Sequence, residues 1–408
     1  MDKKNFDIII IGAGASGMMA AITAARNDKR VLLLEQMDKV GKKILATGNG
    51  KCNYTNENME LSNFRGDSQL IKNVLNKFSK EDCLNFFKEI GIYPKCKNGY
   101  YYPNSEQAAS VQKALLMEMQ NCNINLLTDV KISAIKNINN RFYISLNNEN
   151  YTGDRLIVAT GLLANPKLGS DGSIFPIIKK LGHSFTSIVP ALCGFQCKGF
   201  KFSKAQGVRA EAVVTAMVEG KTVAFDKGEV QFADYGLSGI PVFQVSHFLS
   251  QALHDGKKCK IVLDLFPDLT EEELQREISY RFSNNQNYTV DDNMNGLLNQ
   301  KLINPICLKC NIDSMKRSKK ITEAEQHNLA VTIKNLEVDV EQSRGYSVAQ
   351  VCAGGIKTKE IDNNTLESKY IKGLYFAGEI LDVDGICGGY NLQWAWSSGY
   401  VAGTAASR

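Results

Sequence analysis

Ile8-Ile9-Ile10-Ile11-Gly12-Ala13-Gly14-Ala15-Ser16-Gly17, followed by Val31-Leu32-Leu33-Leu34-Glu35, decides the fold. Consecutive isoleucines without alternation predict a parallel strand covered on both faces. A helix is predicted from Ala15 to about Asn27, with Val31 to Glu35 as the second strand of a βαβ unit. Each glycine has a mechanical task. Gly12 permits the sharp turn out of the strand, Gly14 lets backbone approach a pyrophosphate, and Gly17 lets the helix pack on the strand. The helix start, with Ala15 and Ser16, offers amides and a positive dipole end to phosphate. Glu35 stands where an acid accepts hydrogen bonds from an adenosine ribose, and Gln36 adjoins it. Lys3 and Lys4 before an apolar stretch also have the outline of a signal peptide, but the glycines and Glu35 favour strand and helix. This unit predicts a dinucleotide without separating FAD from NAD.

The other end of the chain separates them. Gly373-Leu374-Tyr375-Phe376-Ala377-Gly378-Glu379 reads as an apolar strand ending in glycine and an acid. Such a strand brings its acid, Glu379, to the ribityl or pyrophosphate region of a flavoprotein with two dinucleotide-binding folds. Asp384-Gly385-Ile386-Cys387-Gly388-Gly389-Tyr390-Asn391-Leu392 then opens a helix. Its start would aim amides at the flavin pyrimidine edge and stabilise negative charge on the reduced ring. A third segment, Gly41 to Asn56, directly follows the first βαβ unit. Its Lys42 and Lys43 are expected to neutralise pyrophosphate. Its Thr47-Gly48-Asn49-Gly50 turn, with Cys52 and Asn53, is expected against the flavin ring. Val130, in a strand predicted over 125–135, and Thr160 and Gly161, after a strand at 155–159, complete the expected cofactor contacts.

At 408 residues the chain is long enough for two or three domains. Its net charge of +5 is spread without a block, too mild to argue for nucleic acid. Eleven cysteines at irregular spacing, without a secretory signal, favour reduced thiols and a cytoplasmic address. None of the four histidines pairs with Cys, Asp or Glu at ligand spacing, so no metal is expected. Helices are predicted at 81–90 and 105–122, the latter capped by Asn104-Ser105-Glu106, and a turn at 147–150 between strands. From about 192 to 266 short alternating runs read as antiparallel strands. From Thr270 to about Lys334 the pattern turns helical, with Thr270/Glu273 and Thr322/Glu325 as capping pairs and 284–299 as a loop holding a short helix. The α/β texture returns at 347–351 and 374–377.

Together these segments resemble the bacterial NAD(P)/FAD-dependent oxidoreductase family that includes the bile-acid-inducible flavoprotein. The residues carrying the resemblance are Gly12 to Gly17, Gly41 to Asn56, Gly169-Ser170-Asp171-Gly172 with Leu181-Gly182-His183, Asp234-Tyr235-Gly236-Leu237-Ser238-Gly239, and Leu374 to Ser398. The resemblance implies an α/β fold of the glutathione reductase type. A Rossmann-like FAD domain (1–190 and 346–408) would carry an inserted β-rich subdomain (191–268) and a small helical subdomain (269–345). It implies tightly bound FAD, NAD(P)H as a transient electron donor, and a small-molecule substrate, with neither nucleic acid nor membrane as partner. Lys51 and Asp234 depart from the family, which usually has Arg and often has His there.

The expected reaction passes hydride through flavin N5 to an unsaturated substrate, on the family's pattern a steroid-like C=C bond. Tyr235 is the candidate proton donor, with Asp234 and Cys52 as further candidate catalytic residues. A flavin amine oxidase using oxygen and a tRNA-binding flavoprotein are the alternatives. Cys52 has no Cys-x4-Cys partner, which argues against dithiol exchange. Cys307-x-x-Cys310 reads better as two buried small residues than as a redox pair. Without a second strand-GxGxxG-helix unit, a nicotinamide donor must dock by the flavin.

Overall fold

β1 (Asn5–Ile11) lies inside a seven-stranded sheet, parallel to β2 (Val31–Leu34) on one side and to the strand Glu149–Val158 on the other. In this computed structural model, which describes residues 4–146 and 149–408, Ile8, Ile9 and Ile10 are fully buried. That is what an uninterrupted β-branched run between two covered faces requires. α1 (Ala15–Arg26) connects β1 to β2. The strand Leu374–Phe376 joins the same sheet beside Glu149–Val158, also in parallel. The chain's end thus completes a sheet that its beginning started.

The chain divides into two units, Met1–Ile188 with Val351–Arg408, and Val189–Gln350. In the first, the C-terminal helix Tyr390–Ala406 packs on α1 through small residues. A methyl on Gly399 would collide with the Ser16 carbonyl, and one on Gly403 would come 2.7 Å from the Ala20 carbonyl. Trp394 and Trp396 anchor the helix by donating to the Gly378 and Tyr54 carbonyls at 3.1 and 3.0 Å.

The second unit is a closed six-stranded barrel with helices around it. Its strands include the long hairpin Arg209–Val218 and Lys221–Ala233, and Leu336–Ser343 pairs with both Phe195–Lys198 and Cys259–Asp264. The expected division of the insert at 268 meets a different grouping. Leu336–Ser343, assigned to a helical subdomain, completes the barrel, and one apolar core runs from Val214 and Ile261 to Ile278 and Ile306.

Local expectations fare unevenly. Both capping pairs form, Thr270 with Glu273 and Thr322 with Glu325. The short helix in the Asn-rich stretch is Val290–Met294. The predicted 81–90 helix is Lys80–Glu89. The helix expected from 105 starts at Ala108, because Glu106 has a left-handed backbone (φ 51°) that cannot begin a helix. The strand predicted over 125–135 is broken into Asn125–Leu127 and Ile132–Ile138, with Asp129 left-handed between them. Strand returns at Val351–Ala353 rather than 347–351. Of the predicted 147–150 turn, Glu149 and Asn150 are already strand. Its first two residues, 147 and 148, lie outside the described residues, as does residue 3. No described helix is long and apolar enough to cross a membrane.

Candidate cofactor and active site

The glycine turn after β1 behaves as its spacing predicts. Gly12 has φ 97°, and a methyl there would stand 2.6 Å from the Ala159 carbonyl oxygen. Gly17 is closed against Gly12 itself. Gly14 differs: a methyl there would meet nothing within 4 Å, so its face is open for a ligand. It also caps α1 without a side-chain hydrogen bond, and no acid stands in the first turn. The amides of Ala15, Ser16 and Gly17 therefore begin a helix whose positive end no acid of its own first turn neutralises.

Glu35 closes the turn from the other side. Its carboxylate accepts from the Ala13 amide at 2.8 Å and the Met37 amide at 2.9 Å. Burial pushes its pKa up, against the pull of those amides. Gln36 donates to the Gly169 carbonyl. Val130 sits in the break of the predicted strand, its amide donating to the Glu35 carbonyl at 3.1 Å. Thr160 and the left-handed Gly161 follow the Glu149–Val158 strand. A methyl on Gly161 would come 3.1 Å from the Glu379 carboxylate, which brings this turn to the C-terminal acid.

The two lysines expected to neutralise pyrophosphate are already committed. Lys43 pairs with Glu379 at 2.7 Å, and Lys42 pairs with Asp38 one helical turn before it. Sequence reading missed both pairings, although the Asp38/Lys42 spacing was a visible signal. Glu379 also accepts from the Cys352 amide at 2.9 Å. Asp384 faces Arg65 across a short antiparallel pair. Burial pushes the Arg65 guanidinium down in pKa and the Asp384 charge pulls it back up.

The turns expected to face a flavin ring lie close to one another. Gly48, Asn49, Gly50 and Cys52 all have left-handed backbones after Thr47. Gly389 (φ 94°) caps the C-terminal helix without a side-chain bond, and a methyl on it would come 2.7 Å from the Thr55 carbonyl. The same methyl would lie 2.9 Å from the Asn53 Oδ1, a buried oxygen with no hydrogen-bond partner among the described residues. Asn391 ties the approach down, its side chain bonding both the amide and the carbonyl of Gly385 at 2.8 Å. Asn56 donates to the Gly388 carbonyl at 2.8 Å, and Tyr390 packs edge-on against Phe64. Leu392 lies in the first turn of the same helix.

These residues fit FAD. Elsewhere Asp67, Ser79, Thr270, Thr289, Asn299 and Thr322 cap their helices with side chains. At α1 and the C-terminal helix the cap is a glycine with no side-chain bond, as it also is at Ile240–His254. An orphaned amide oxygen beside the second of these starts, and an open glycine at the first, are the marks of a cradle for a long ligand.

Cys52 does not fit a catalytic role. It is fully buried, and burial pushes its thiol up to about 12, so no thiolate forms near neutral pH. Cys307 is pushed up to about 12 in the same way, and Cys310 is also raised by burial. Asp234 and Tyr235 belong to the second unit, in the turn between Lys221–Ala233 and Gly236–Gly239. The Arg344 guanidinium lies 3.9 Å from the Tyr235 ring centroid. Among the described residues, no group of three or more His, Cys, Asp or Glu could hold a metal ion.

Residues 6–405 match the HI0933-like protein Rossmann domain family. The chain belongs to that family. It is 41% identical over 401 residues to the 3-dehydro-bile acid delta(4,6)-reductase of Clostridium scindens, covering 98% of both chains. It is 30% identical to the ribosomal RNA dihydrouridine synthase of Haemophilus influenzae, again over 98% of both. Among solved structures it superposes on a flavocytochrome c3 fumarate reductase in its open conformation with a TM-score of 0.50. That match has 12% identity and covers 99% of this chain and 78% of the other. The resemblance read from the sequence is thereby confirmed, as is the α/β Rossmann-like fold. This HI0933-like chain is an FAD-dependent oxidoreductase.

Proposed function

We propose that this enzyme reduces a carbon–carbon double bond conjugated with a carbonyl in a small organic acid, with NAD(P)H as electron donor. The observation that carries the reading is the 41% identity, end to end, with a bile-acid reductase. The second relative's name describes a related change, saturation of uridine to dihydrouridine. Both names describe adding two hydrogens across a double bond polarised by a neighbouring carbonyl.

FAD, when bound, would supply two-electron chemistry between a nicotinamide and the substrate. The chain's own residues hold and tune it. The amides of α1 and the open face of Gly14 would receive the pyrophosphate. Glu35 would accept from the adenosine ribose, and Glu379, set by Lys43 and the Cys352 amide, would bond the ribityl chain. Thr47 to Asn53 and Gly389 to Leu392 would bracket the flavin ring, the helix start favouring negative charge on its pyrimidine side. Tyr235 is the proposed proton donor, its ring held face-on by Arg344, with Asp234 beside it as a further candidate.

Two alternatives remain distinct in their readout. A reductase is bleached anaerobically by NADPH or NADH and recovers its flavin absorbance when a 3-oxo-4,6-diene bile acid is added. Recovery with an rRNA fragment instead would place the chain with its RNA-acting relative, which 30% identity favours as the second reading. Peroxide release on amine turnover would indicate an oxidase. Failure of either nicotinamide to bleach the flavin would contradict the proposed donor.

A further inference from the structure

The first unit contains a cavity of about 170 Å³ lined by Lys51, Lys97, Asn98, Tyr100, Tyr102 and Glu106. Its walls have a simple origin. Tyr100 and Tyr102 are alternate residues of the strand Tyr100–Pro103, so they share one face. Tyr101, between them, points away and bonds Glu57. Lys97 ends the partner strand Pro94–Lys97, and Asn98 (φ 52°) makes the left-handed turn that joins the two. Lys51 follows the Thr47–Gly50 turn. Glu106 enters from the loop before the helix Ala108–Asn121, on a left-handed backbone.

The charges do not balance. Glu106 pairs with Lys51 at 3.5 Å and with Lys95 at 3.0 Å, so one carboxylate is shared by two ammonium groups. Lys97 has no ion pair among the described residues. The Tyr102 hydroxyl likewise has no hydrogen-bond partner among them, and it remains a free donor. Cations and a phenol donor between two aromatic faces make a receptor for an anion carried on an apolar ring frame. The cavity also adjoins the cofactor turns. Tyr100 would lie 2.8 Å from a methyl on Gly388, and Tyr102 3.5 Å from one on Gly48. Gly48 belongs to one segment proposed to bracket the flavin ring, and Gly388 directly precedes the other.

We propose that this cavity is the subsite that anchors the carboxylate of the organic-acid substrate. The inference deepens the function proposed above and rests on it. Size argues for the substrate rather than the electron donor. Complete ligand sites run to about 300–1,000 Å³, so this one takes an acid group and its nearest ring, not a dinucleotide. Lys97 and the Lys51–Glu106–Lys95 cluster supply the charge, Tyr102 a hydrogen bond, and Tyr100 and Tyr102 the apolar walls.

The test compares a 3-oxo-4,6-diene bile acid with its methyl ester on the FAD-loaded enzyme. Lys97 is exposed at a strand end, so Lys97→Met and Lys97→Glu leave the fold's core untouched. Equilibrium dialysis against oxidised enzyme reads binding without turnover, and steady-state kinetics read KM. The wild type should bind the acid more tightly than the ester. Lys97→Met should weaken the acid about tenfold and Lys97→Glu more, erasing the preference, while the KM for NAD(P)H holds. An acid-to-ester preference equal in wild type and both variants overturns the proposal, as does a change confined to the NAD(P)H KM. Displacement of bound acid from wild type and Lys97→Glu equally by an rRNA fragment also overturns it. If the acid binds with the predicted Lys97 dependence but is never reduced, the subsite stands and the reductase reading falls.

Discussion

Individual side chains carry expectations of opposite kinds. Tyr235→Phe should lower kcat about 100-fold with little change in substrate KM, and bleaching of the flavin by the nicotinamide should proceed as in wild type. Stopped-flow absorbance separates the two half-reactions, and an equal loss in both would remove Tyr235 from the proton-donor role. Cys52 should resist thiol reagents in the folded protein while exposed Cys96 reacts. Mass spectrometry of partially labelled protein distinguishes them, and rapid labelling of Cys52 would contradict its burial. His183 is a buried hub between Glu360, 3.2 Å from its Nδ1, and Ser368, 2.8 Å from its Nε2. The Ser368 oxygen already accepts from the Tyr370 and Ile371 amides, so its own proton goes to Nε2, and Nδ1–H donates to Glu360. Burial lowers the His183 pKa below its ordinary 6.5, against the opposing pull of Glu360. A base held neutral in this way stabilises the fold fully above its unfolded pKa, and the contribution is lost as pH falls through the folded one. Melting temperature should therefore decline as the pH is taken below 6.5, the ordinary histidine value. His183→Gln should flatten that part of the profile, and an unchanged slope in the variant would assign the decline to other groups.

At the scale of elements, the glycine contacts set the geometry. Gly399→Val would drive a side chain into the Ser16 carbonyl at the crossing of α1 and the C-terminal helix. Overpacking of this kind costs about 1–3 kcal/mol, so a fall in melting temperature with reduced FAD retention is expected. A melting temperature equal to wild type would mean that the two helices do not pack as described. The elements also show what could be read beforehand. The βαβ unit was legible because strand, turn, helix and acid lie within about thirty residues and each reports on its neighbours. The capping boxes were legible for the same reason, being local. The helix Ile240–His254 was missed, although Val242, Val245, Leu249 and Ala252 share its buried face, because the surrounding strand texture masked a 3.6-residue period. Glu106 was misread as a cap because no local signal announces a left-handed backbone at an acid.

Across the whole molecule, the barrel is the part that sequence left open. Its closure depends on Phe195–Lys198 pairing with Leu336–Ser343, strands more than a hundred residues apart, and no local pattern encodes that register. The candidate cofactor site was more legible, since glycine spacing and acids carry their chemistry with them. What spacing could not show was which charges would be consumed internally. Lys42 and Lys43 looked available for phosphate, yet pair with Asp38 and Glu379. The function proposed for the molecule as a whole is one coupling, of a nicotinamide to saturation of a conjugated double bond through FAD. Anaerobic turnover with NADPH or NADH and a 3-oxo-4,6-diene bile acid measures it, with nucleotide oxidation and product mass followed together. One nucleotide should be oxidised for each two hydrogens gained by the acid, and the coupling should depend on FAD. Nucleotide oxidation without any gain in product mass, or no oxidation at all, would contradict it.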